Sequence, residues 1–450
     1  MNENQSLKKL DITKLNPLSP EIIINQSTIN IGTIGHVAHG KSALVCAITG
    51  VKTTRTRIEL VRNITMRLGY ANAKIYKCPN CPEPNCYVSK SSKIENPKCE
   101  ICHSNLNLIR HISFVDCPGH DYLMATMLNG TAVMDAALLL VAANEKFPQP
   151  QTSEHLAAFQ IMNLKHLIIL QNKIDIVTKD DAKKQYEDIH KYKAMTCAKD
   201  APIIPISASL GINIEYVIGH IVKNIPVPLR DYSAAPRMVV IRSFDINKAG
   251  CDVSKIRGGV AGGSIIQGYL KVGDEIEIRP GTIEIVKDNI FCRVQKTRII
   301  SLRTEENELQ FAVPGGLIGV GTTLDPSLCR HDKLIGQVIG RPGTLPDIFS
   351  SLTIKFSLFE KLLGVVQSDE VSTEVGKIKI NEVLMLNIGS TSTCAIAIGL
   401  SKDKYAVLKL KDPVCTTPGE RIALSRKVGK TWRLIGFGIV LKGESVTILS

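Results

Sequence analysis

The sequence lacks any apolar run long enough to cross a bilayer, and its first residues lack the apolar region of a secretory signal. Its longest apolar segments are Ala136–Ala143 and Leu167–Leu170, which are too short for a membrane span. The N-terminal stretch is polar, which argues against a signal peptide. We therefore expect no membrane partner and a reducing, cytoplasmic setting.

A disulfide framework is also missing. The chain has 13 cysteines, an odd number, in a sequence without a secretory signal. Five of them fall between Cys78 and Cys102, and the rest are scattered. Clustering of this kind favours a metal site over redox chemistry.

Composition limits the class of protein. Hydrophobic residues make up 44% and charged residues 22% of the 450 residues, so disorder is not favoured. The length predicts two or three domains. The net charge of +13 has two interpretations: a polyanionic partner such as a nucleic acid, or a merely basic soluble protein.

The chain divides into a polar start, an α/β region and a β-rich region, with no exact internal repeat. Residues 1–26 predict a flexible N-terminal arm. Between Thr28 and Val222, apolar runs alternate with helical periods, which predicts a mostly parallel sheet with flanking helices. The predicted strands are Ile29–Ile34, Ile112–Asp116, Ala136–Ala143, His166–Gln171 and Ile203–Ile206. The predicted helices are Ser42–Thr49, Leu123–Thr131, Ser153–Met162, Asp181–Tyr192 and Ile214–Lys223.

The sequence pattern changes after Ile225-Pro226-Val227-Pro228. Two prolines at this spacing favour an extended linker. Short β-rich runs separated by glycines follow, which predicts β-barrels. These runs are Met238–Phe244, Glu275–Ile278, Ile299–Leu302, Leu317–Val320, Leu352–Phe356, Val383–Ile388, Tyr405–Leu410, Arg421–Leu424 and Trp432–Val440. We expect an α/β domain over 27–230 and two barrels over 236–343 and 346–450.

The segment from Gly35 to Ser42 matches the phosphate-loop pattern G-x-x-x-x-G-K-[ST] between a predicted strand and a predicted helix. Glycines let the backbone wrap phosphates, while successive N–H groups and the helix N-terminus face the anion. Lys41 can reach the β- and γ-phosphates, and the Ser42 hydroxyl can ligate Mg²⁺. The predicted nucleotide-binding residues here are His36, Val37, Ala38, His39, Gly40, Lys41, Ser42 and Ala43.

Asp116-Cys117-Pro118-Gly119 ends a predicted strand downstream of this loop. Asp116 can hold the Mg²⁺ shell, and the Gly119 N–H can reach the γ-phosphate. Thr65 is the candidate switch residue, whose hydroxyl completes the Mg²⁺ shell only when the γ-phosphate is present. The alternative interpretation of Thr65 is a helix-capping threonine. The alternative interpretation of the Asp116 segment is an ordinary turn.

Two further segments predict guanine recognition. Asn172-Lys173-Ile174-Asp175 ends a strand, and Asp175 can accept hydrogen bonds from the N1 and N2 donors of guanine. Adenine lacks this donor pair, and such a mismatch can discriminate by ~10⁴-fold. The backbone of Ser207-Ala208-Ser209 can cover the guanine edge. The elements stand in the order of a GTPase, so the α/β region is a predicted P-loop GTPase domain.

A resemblance to the translational GTPases that carry aminoacyl-tRNA lies in Gly35-His36-Val37 with His39-Gly40-Lys41, together with Asp116 to His120. A closer resemblance, to the gamma subunits of eukaryotic and archaeal initiation factor 2, covers nearly everything after the N-terminal arm. The segments that carry it are Arg62–Thr65, Leu68–Tyr76, Met124–Gly130, Pro148–Leu156, Arg242–Asp245, Lys255–Ser264, Val313–Thr322, Asn381–Leu384, Asn387–Ser390 and Trp432–Gly436. Ala38 supports the narrower family, since many elongation factors have Asp at that position.

This resemblance implies GTP-dependent binding of initiator methionyl-tRNA and its delivery to the small ribosomal subunit. It implies a heterotrimer, with the alpha subunit on the second domain and the beta subunit on the GTPase domain. It places the aminoacylated tRNA end between the GTPase domain and the second domain. His120 matches the position that orients the attacking water, so we expect slow hydrolysis of GTP to GDP and helper proteins that activate the GTPase and exchange nucleotide.

Cys78-x₂-Cys81 and Cys99-x₂-Cys102 form two C-x-x-C pairs in a proline-rich insertion at 78–102. Four thiolates can close a tetrahedral zinc shell, so the spacing predicts a zinc knuckle. A remnant knuckle with free thiols is the alternative. Cys86 is left out of the predicted ligand set.

Three other functions fit parts of the sequence. An elongation-type aminoacyl-tRNA carrier is disfavoured by Ala38, the cysteine insertion and the barrel motifs. A GTPase that regulates a metabolic enzyme is disfavoured by the switch and barrel motifs. A zinc-dependent DNA-binding protein would need a recognition helix, and no convincing one follows Cys102.

Overall fold

The computed structural model describes residues 11–53, 59, 65–248, 250–287, 289–305, 307–363 and 374–449. Its contacts divide the chain into two compact units, one built on Pro17–Leu229 and the other on Arg230–Leu362 and the strands that follow. Within the described ranges, no helix is long and apolar enough to span a membrane.

The described part of the first unit contains one seven-stranded sheet in the order β3-β2-β4-β1-β5-β6-β7. Its strands are β1 (Ile29–Gly35), β2 (Gly69–Lys77), β3 (Tyr87–Ser91), β4 (Asn107–Asp116), β5 (Ala136–Ala142), β6 (His166–Asn172) and β7 (Ile203–Pro205). The run β4-β1-β5-β6-β7 is parallel, whereas β2 is antiparallel to both of its neighbours. Strands β1 and β5 are buried along their whole length, as expected where helices cover both faces of a parallel sheet.

The helices of this unit lie close to the predicted positions. They are α1 (Pro20–Ile23), α2 (Lys41–Thr49), α3 (Met124–Thr131), α4 (Pro150–Ile161), α5 (Lys179–Ala194) and α6 (Ile214–Asn224). Helix α2 ends at Gly50, whose φ of 73° is the left-handed conformation that glycine adopts without a Cβ clash. Helix α4 starts three residues earlier than predicted, because Pro150 occupies its first turn, where a missing N–H costs nothing.

The predicted flexible arm over residues 1–26 is wrong for its second half. Ile22 and Ile23 are buried, and the short helix α1 contains both. The carbonyl of Ile23 lies 2.9 Å from Nδ1 of the buried His111, and the Thr28 N–H donates to the His111 carbonyl. Ile23 and Thr28 therefore contact strand β4, and residues 1–10 lie outside the described part of the chain.

The second unit contains two barrels, confirming the predicted architecture. The strands of the first barrel region are β8 (Arg237–Phe244), β9 (Val260–Gln267), β10 (Leu270–Lys271), β11 (Glu275–Val286), β12 (Asn289–Thr304), β13 (Asn307–Leu309), β14 (Phe311–Ala312), β15 (Ile318–Thr322) and β16 (Val338–Gly340). In the described residues, a ring of six strands, β11-β16-β8-β9-β15-β12, closes through the β11–β12 pairing.

The strands of the last barrel region are β17 (Ile348–Leu358), β18 (Val383–Ile388), β19 (Thr391–Leu400), β20 (Tyr405–Cys415), β21 (Arg421–Val428), β22 (Thr431–Ser445) and β23 (Thr447–Leu449). Strands β17-β20-β19-β18-β21-β22 close the barrel. Strand β23 leaves it and pairs in parallel with β12. The Ser390 hydroxyl donates to the Val240 carbonyl at 2.8 Å, so the two barrels are joined by backbone and side-chain bonds.

Candidate functional site

The phosphate loop lies between the end of β1 and the start of α2, the strand-loop-helix setting that the motif predicts. Ala38 and Gly40 have left-handed φ values of 61° and 92°. A Cβ on Gly40 would lie 2.2 Å from the amide nitrogen of Asn172, so this position requires glycine for space as well as conformation. Helix α2 begins at Lys41, directly after this sharp turn, so its N-terminal N–H groups lie at the loop, as anion binding requires.

Lys41 carries a buried positive charge in this loop. Its ammonium donates to the carbonyls of Gly35 and His36 at 2.9 and 2.7 Å, and its side chain is almost fully enclosed. Burial lowers its pKa to about 8, although Asp116 partly offsets the effect. A buried ammonium held mainly by neutral carbonyls fits a phosphate anion, which supplies the missing charge.

Two hydroxyls meet where the sequence predicts the magnesium site. Ser42 Oγ lies 2.9 Å from Thr65 Oγ1, although 22 residues separate them in the chain. Asp116 is completely buried, and its carboxylate accepts hydrogen bonds from the hydroxyls of Thr33 at 3.1 Å and Thr53 at 2.5 Å. The structure thus brings together Ser42 and Thr65 and fixes Asp116 by threonines that sequence reasoning did not single out.

Asn172 connects the guanine motif to the phosphate loop. Its amide nitrogen donates to the His39 carbonyl at 2.9 Å, and its amide oxygen accepts the Ala208 N–H at 3.0 Å. One side chain therefore joins three of the four predicted motifs. The adjacent Lys173 is left-handed, with φ of 66°, and Asp175 is exposed in the short 3₁₀ turn that follows.

The second guanine segment, Ser207 to Ser209, is held as a turn. Ser207 Oγ lies 3.2 Å from Ser209 Oγ and accepts the Leu210 N–H at 3.3 Å. Ser207 and Ala208 are buried, whereas Ser209 is exposed. The Ala208 backbone is thus fixed by Asn172 beside the exposed Asp175 turn, the arrangement that covering a base edge requires.

Sequence reasoning missed a histidine support beneath the phosphate loop. His155 Nδ1 accepts the Gly35 N–H at 2.8 Å, and burial lowers the pKa of His155 to about 3. His39 Nδ1 lies 2.9 Å from the Leu140 carbonyl, and its Nε2 lies 3.1 Å from Glu145 Oε2. Each histidine contacts residues more than 100 positions away in the sequence, so no local signal marks this role, although both belong to segments that bear the family resemblance.

Gly119 and His120 follow strand β4 at the mouth of the loop. A Cβ on Gly119 would lie 2.4 Å from Lys41 Nζ and 2.9 Å from the Gly35 carbonyl, so this glycine closely approaches the phosphate loop. The His120 ring stacks on Tyr122 with centroids 5.3 Å apart, and His120 Nδ1 accepts the Tyr122 N–H at 3.4 Å. His120 is therefore the residue directly after the glycine that approaches the phosphate loop.

The four predicted zinc ligands come together. The sulfurs of Cys78, Cys81, Cys99 and Cys102 lie within 4.8 Å of one another. The Cys78–Cys102 distance is 3.3 Å and the Cys81–Cys99 distance is 3.6 Å. Sulfurs bound to one zinc at ~2.3 Å lie ~3.8 Å apart, so the cluster fits a tetrahedral ion. Cys86 is buried outside this cluster.

The cluster also contains groups that stabilise thiolates. Hydrogen bonds from the Ser104 side chain and backbone lower the pKa of Cys102 to about 6. Backbone N–H groups of Cys102 and Ile101 lower the pKa of Cys99. Burial raises the pKa of Cys81, as do hydrogen bonds to the neighbouring thiols.

Three family models match the chain. The model of the elongation factor Tu GTP binding domain matches residues 26–227, and that of elongation factor Tu domain 2 matches residues 258–340. A model described as initiation factor eIF2 gamma, C terminal, matches residues 350–440. Fold and site together define a translational GTPase, a class that uses GTP, GDP and Mg²⁺.

Two relatives cover almost the whole chain. It is 57% identical over 445 residues to the eukaryotic translation initiation factor 2 subunit gamma of Schizosaccharomyces pombe, covering 98% of this chain and 100% of that protein. It is 58% identical over 452 residues to the eukaryotic translation initiation factor 2 subunit 3 of Drosophila melanogaster, covering 99% and 95%. The chain belongs to the family of gamma subunits of eukaryotic translation initiation factor 2, and it is a GTP-hydrolysing initiation factor.

Solved structures share the fold at low identity. A bacterial selenocysteine-specific elongation factor matches with a TM-score of 0.68 at 20% identity, over 93% of this chain and 59% of that one. Elongation factor SelB from Methanococcus maripaludis, in complex with the GTP analogue GppNHp, matches with a TM-score of 0.67 at 20% identity, over 94% and 80%. These likenesses extend over all three predicted domains and show the fold alone.

Proposed function

We propose that this chain, in its GTP-bound form, binds initiator methionyl-tRNA and delivers it to the small ribosomal subunit, with GTP hydrolysis as the release step. The near full-length identity to subunits of initiation factor 2 supports this over an elongation-type carrier. The observation that carries the nucleotide part is the Asn172 side chain, which couples the guanine motif to the phosphate loop.

Each predicted residue has a role in this proposal. The loop from His36 to Ala43 binds the phosphates, with Lys41 as the cation that meets them. Mg²⁺ neutralises the phosphate oxygens when it is bound. Ser42 and Thr65 would hold it through their hydroxyls, and the buried Asp116 would hold its water shell. Gly119 offers its N–H to the γ-phosphate.

Guanine specificity is assigned to Asp175, with Asn172 and Lys173 shaping its loop and Ser207, Ala208 and Ser209 covering the base. Asp175→Asn replaces an acceptor of two hydrogen bonds with an amide that can pair with xanthine instead. We expect lower affinity for GTP and higher affinity for xanthosine triphosphate. An unchanged preference for GTP in competition binding would remove Asp175 from the site.

His120 is assigned to orient the attacking water. It follows Gly119, whose backbone closely approaches the phosphate loop, and its ring stacks on that of Tyr122. The role is positional, because phosphoryl transfer depends on alignment more than on a strong base. Intrinsic hydrolysis should then be slow, with an activating protein completing the site.

Zinc is assigned to Cys78, Cys81, Cys99 and Cys102. The fit of the four sulfurs to one tetrahedron supports this assignment. Bound zinc would hold the ends of β2 and of the loop before β4 together. That role is structural, since four thiolates leave no open position for substrate.

The proposed partners are the alpha and beta subunits of the same factor, the tRNA, the small ribosomal subunit, a GTPase-activating protein and a nucleotide-exchange factor. The family membership places the chain in an initiation-factor complex. The net charge of +13 suits RNA partners. A cytoplasmic site of action follows from the same proposal.

Filter binding tests the central proposal. The chain, assembled with its two proposed partner subunits, is titrated with methionyl initiator tRNA, uncharged initiator tRNA and a charged elongator tRNA, each in GTP and in GDP. We expect the tightest binding for methionyl initiator tRNA in GTP. Equal affinity for both charged tRNAs would favour an elongation-type carrier. Equal tRNA affinity in GTP and in GDP would contradict control of tRNA binding by the nucleotide.

A further inference from the structure

Four aliphatic side chains lie exposed next to each other on the outer face of the last barrel. Ile380 is 60% exposed, Val383 48%, Ile396 42% and Ile398 49%. We call them the β18–β19 patch. Val383 of β18 lies directly opposite Ile396 of β19, so their side chains share one face of the sheet.

Backbone bonds hold the rest of the patch beside this pair. The Asn381 N–H donates to the Ala397 carbonyl at 2.8 Å, and the Ala397 N–H donates to the Glu382 carbonyl at 3.0 Å. The turn that carries Ile380 is thereby fixed next to Ile398. Scattered exposed aliphatics need no explanation, whereas contiguous ones on a rigid sheet mark an interaction surface.

Lysines border the patch. Lys409 of β20 lies directly opposite Ile396, Lys411 lies two residues further on the same face, and Lys379 precedes Ile380. All three are exposed, and among the described residues none of them forms an ion pair. Glu382, the carboxylate beside Val383, is already bound by Arg426. The patch therefore has an apolar centre and an uncompensated basic border.

We propose that the β18–β19 patch binds a partner-protein segment that combines aliphatic side chains with acidic ones. The aliphatic centre supplies the buried contact, and the lysines attract and align the acidic residues. A nucleic acid would not use the isoleucines, because its phosphates need cations and its bases need stacking or hydrogen-bonding groups. A second copy of the chain would bring the same lysines, which would repel those already present.

Peptide selection tests this proposal. A random 16-residue peptide library is panned on the full chain loaded with GDP, and separately on Ile396→Asp. Ile300→Asp, which changes a similarly exposed isoleucine of the other barrel, is the matched control. Peptides that depend on the patch are those enriched on the wild type and on Ile300→Asp but lost on Ile396→Asp.

We expect these peptides to be acidic and to carry at least two aliphatic residues. Synthetic versions should bind Ile396→Asp at least tenfold more weakly than wild type. The double variant Lys409→Glu/Lys411→Glu should also bind several-fold more weakly, with the difference shrinking as salt rises. Lys296→Glu, in the other barrel, should bind like wild type.

Three results would overturn the proposal. One is the absence of any peptide that depends on Ile396. Another is a set of such peptides that is basic or neutral. The third is binding of a 20-nucleotide single-stranded RNA that falls in the lysine double variant and in Ile396→Asp alike, which would assign the surface to nucleic acid. Circular dichroism of Ile396→Asp, matched to wild type, verifies that the barrel is folded.

Discussion

His155 accepts a hydrogen bond from the backbone N–H of Gly35, with 2.8 Å between Nδ1 and the amide nitrogen. Gly35 is the first residue of the phosphate loop, with φ of 137°. A nitrogen that accepts this bond carries no proton, so His155 is neutral with its proton on Nε2. Helix α4 thus holds the start of the loop from outside the motif.

His155→Ala should weaken GDP and GTP binding, because the buried Gly35 N–H loses its partner. Leaving such a donor unpaired costs ~1–3 kcal/mol. Where the free loop moves to pair this N–H and nucleotide binding forces it back, the same energy lowers the affinity by about 5- to 150-fold. His155→Asn, whose amide oxygen stands close to the position of Nδ1, should recover most of the loss. Nucleotide titrations of the three proteins decide it, and equal losses in both variants would contradict the role.

The buried histidines predict acid sensitivity. His155 and His111 both have pKa values lowered to about 3 by burial, so the unfolded chain binds more protons than the folded one between about pH 3 and 6.5. Stability should therefore fall as pH falls below 6.5, by ~1.4 kcal/mol per pH unit for each histidine. Urea unfolding at pH 7.0 and 5.5, followed by circular dichroism, should show a smaller pH effect in His155→Asn than in wild type.

Nucleotide binding should take up a proton at alkaline pH. Burial lowers the pKa of Lys41 to about 8, so at pH 9 the ammonium is mostly deprotonated in the free protein. Phosphates favour the charged form, and binding should draw up to ~1 proton per chain. Calorimetry of GDP binding in HEPES and in Tris measures the uptake from the difference in heat. Identical proton uptake at pH 7 and pH 9 would contradict the lowered pKa.

The cysteine cluster should bind about one zinc ion per chain. Substituting Cys78 and Cys102 by Ser removes two of four sulfurs that lie within 4.8 Å of one another, so the metal should be lost. Elemental analysis of protein purified under reducing conditions measures it, with Cys86→Ser as the control that keeps the metal. A wild type that stays metal-free after reconstitution would leave the cluster as free thiols.

Thr65→Ala should uncouple tRNA binding from the nucleotide. The Thr65 hydroxyl lies 2.9 Å from that of Ser42, so the variant loses one of the two proposed protein ligands for Mg²⁺. We expect GDP affinity near normal and a smaller gain in tRNA affinity on going from GDP to GTP, since only a differential contact shifts a two-state loop. The four affinities, wild type and variant in each nucleotide, measure the coupling, and an unchanged ratio would remove Thr65 from the switch.

Much of the first unit could be predicted because its signals are local. Strands β1 and β5 are continuous apolar runs, and the phosphate loop stands between β1 and α2 as its motif requires. Strand β2 was not predicted. It is buried on both faces, although the alternation of Ala71, Ala73 and Ile75 with Asn72 and Lys74 is typical of a strand that buries one face only. Its pairing with β4 supplies the stability that its own sequence does not indicate.

Contacts between distant segments explain the rest of what sequence reasoning missed. The N-terminal segment looked polar and loose, but Ile22 and Ile23 find burial near His111, almost ninety residues away. The support of Gly35 by His155 and of Asp116 by Thr53 also joins segments that no motif connects. Tertiary contacts of this kind have no signature in a single sequence. The contact of Asn172 with the His39 carbonyl differs, because Asn172 belongs to a motif that can be recognised in the sequence.

Strand β2 also limits which insertions and deletions the chain can tolerate. Gly69 pairs with Asp116 at one end of the strand, and Lys77, next to Cys78, pairs with Tyr87 at the other. The proposed switch residue Thr65 and the cysteine cluster thus lie beyond opposite ends of one spacer of fixed length, ~26 Å at ~3.3 Å per residue. A single inserted residue would turn one end of the spacer to the wrong face of the sheet. Length changes should therefore accumulate in the loops on either side of β3, between Cys81 and Tyr87 and between Ser91 and Cys99, and be absent from β2.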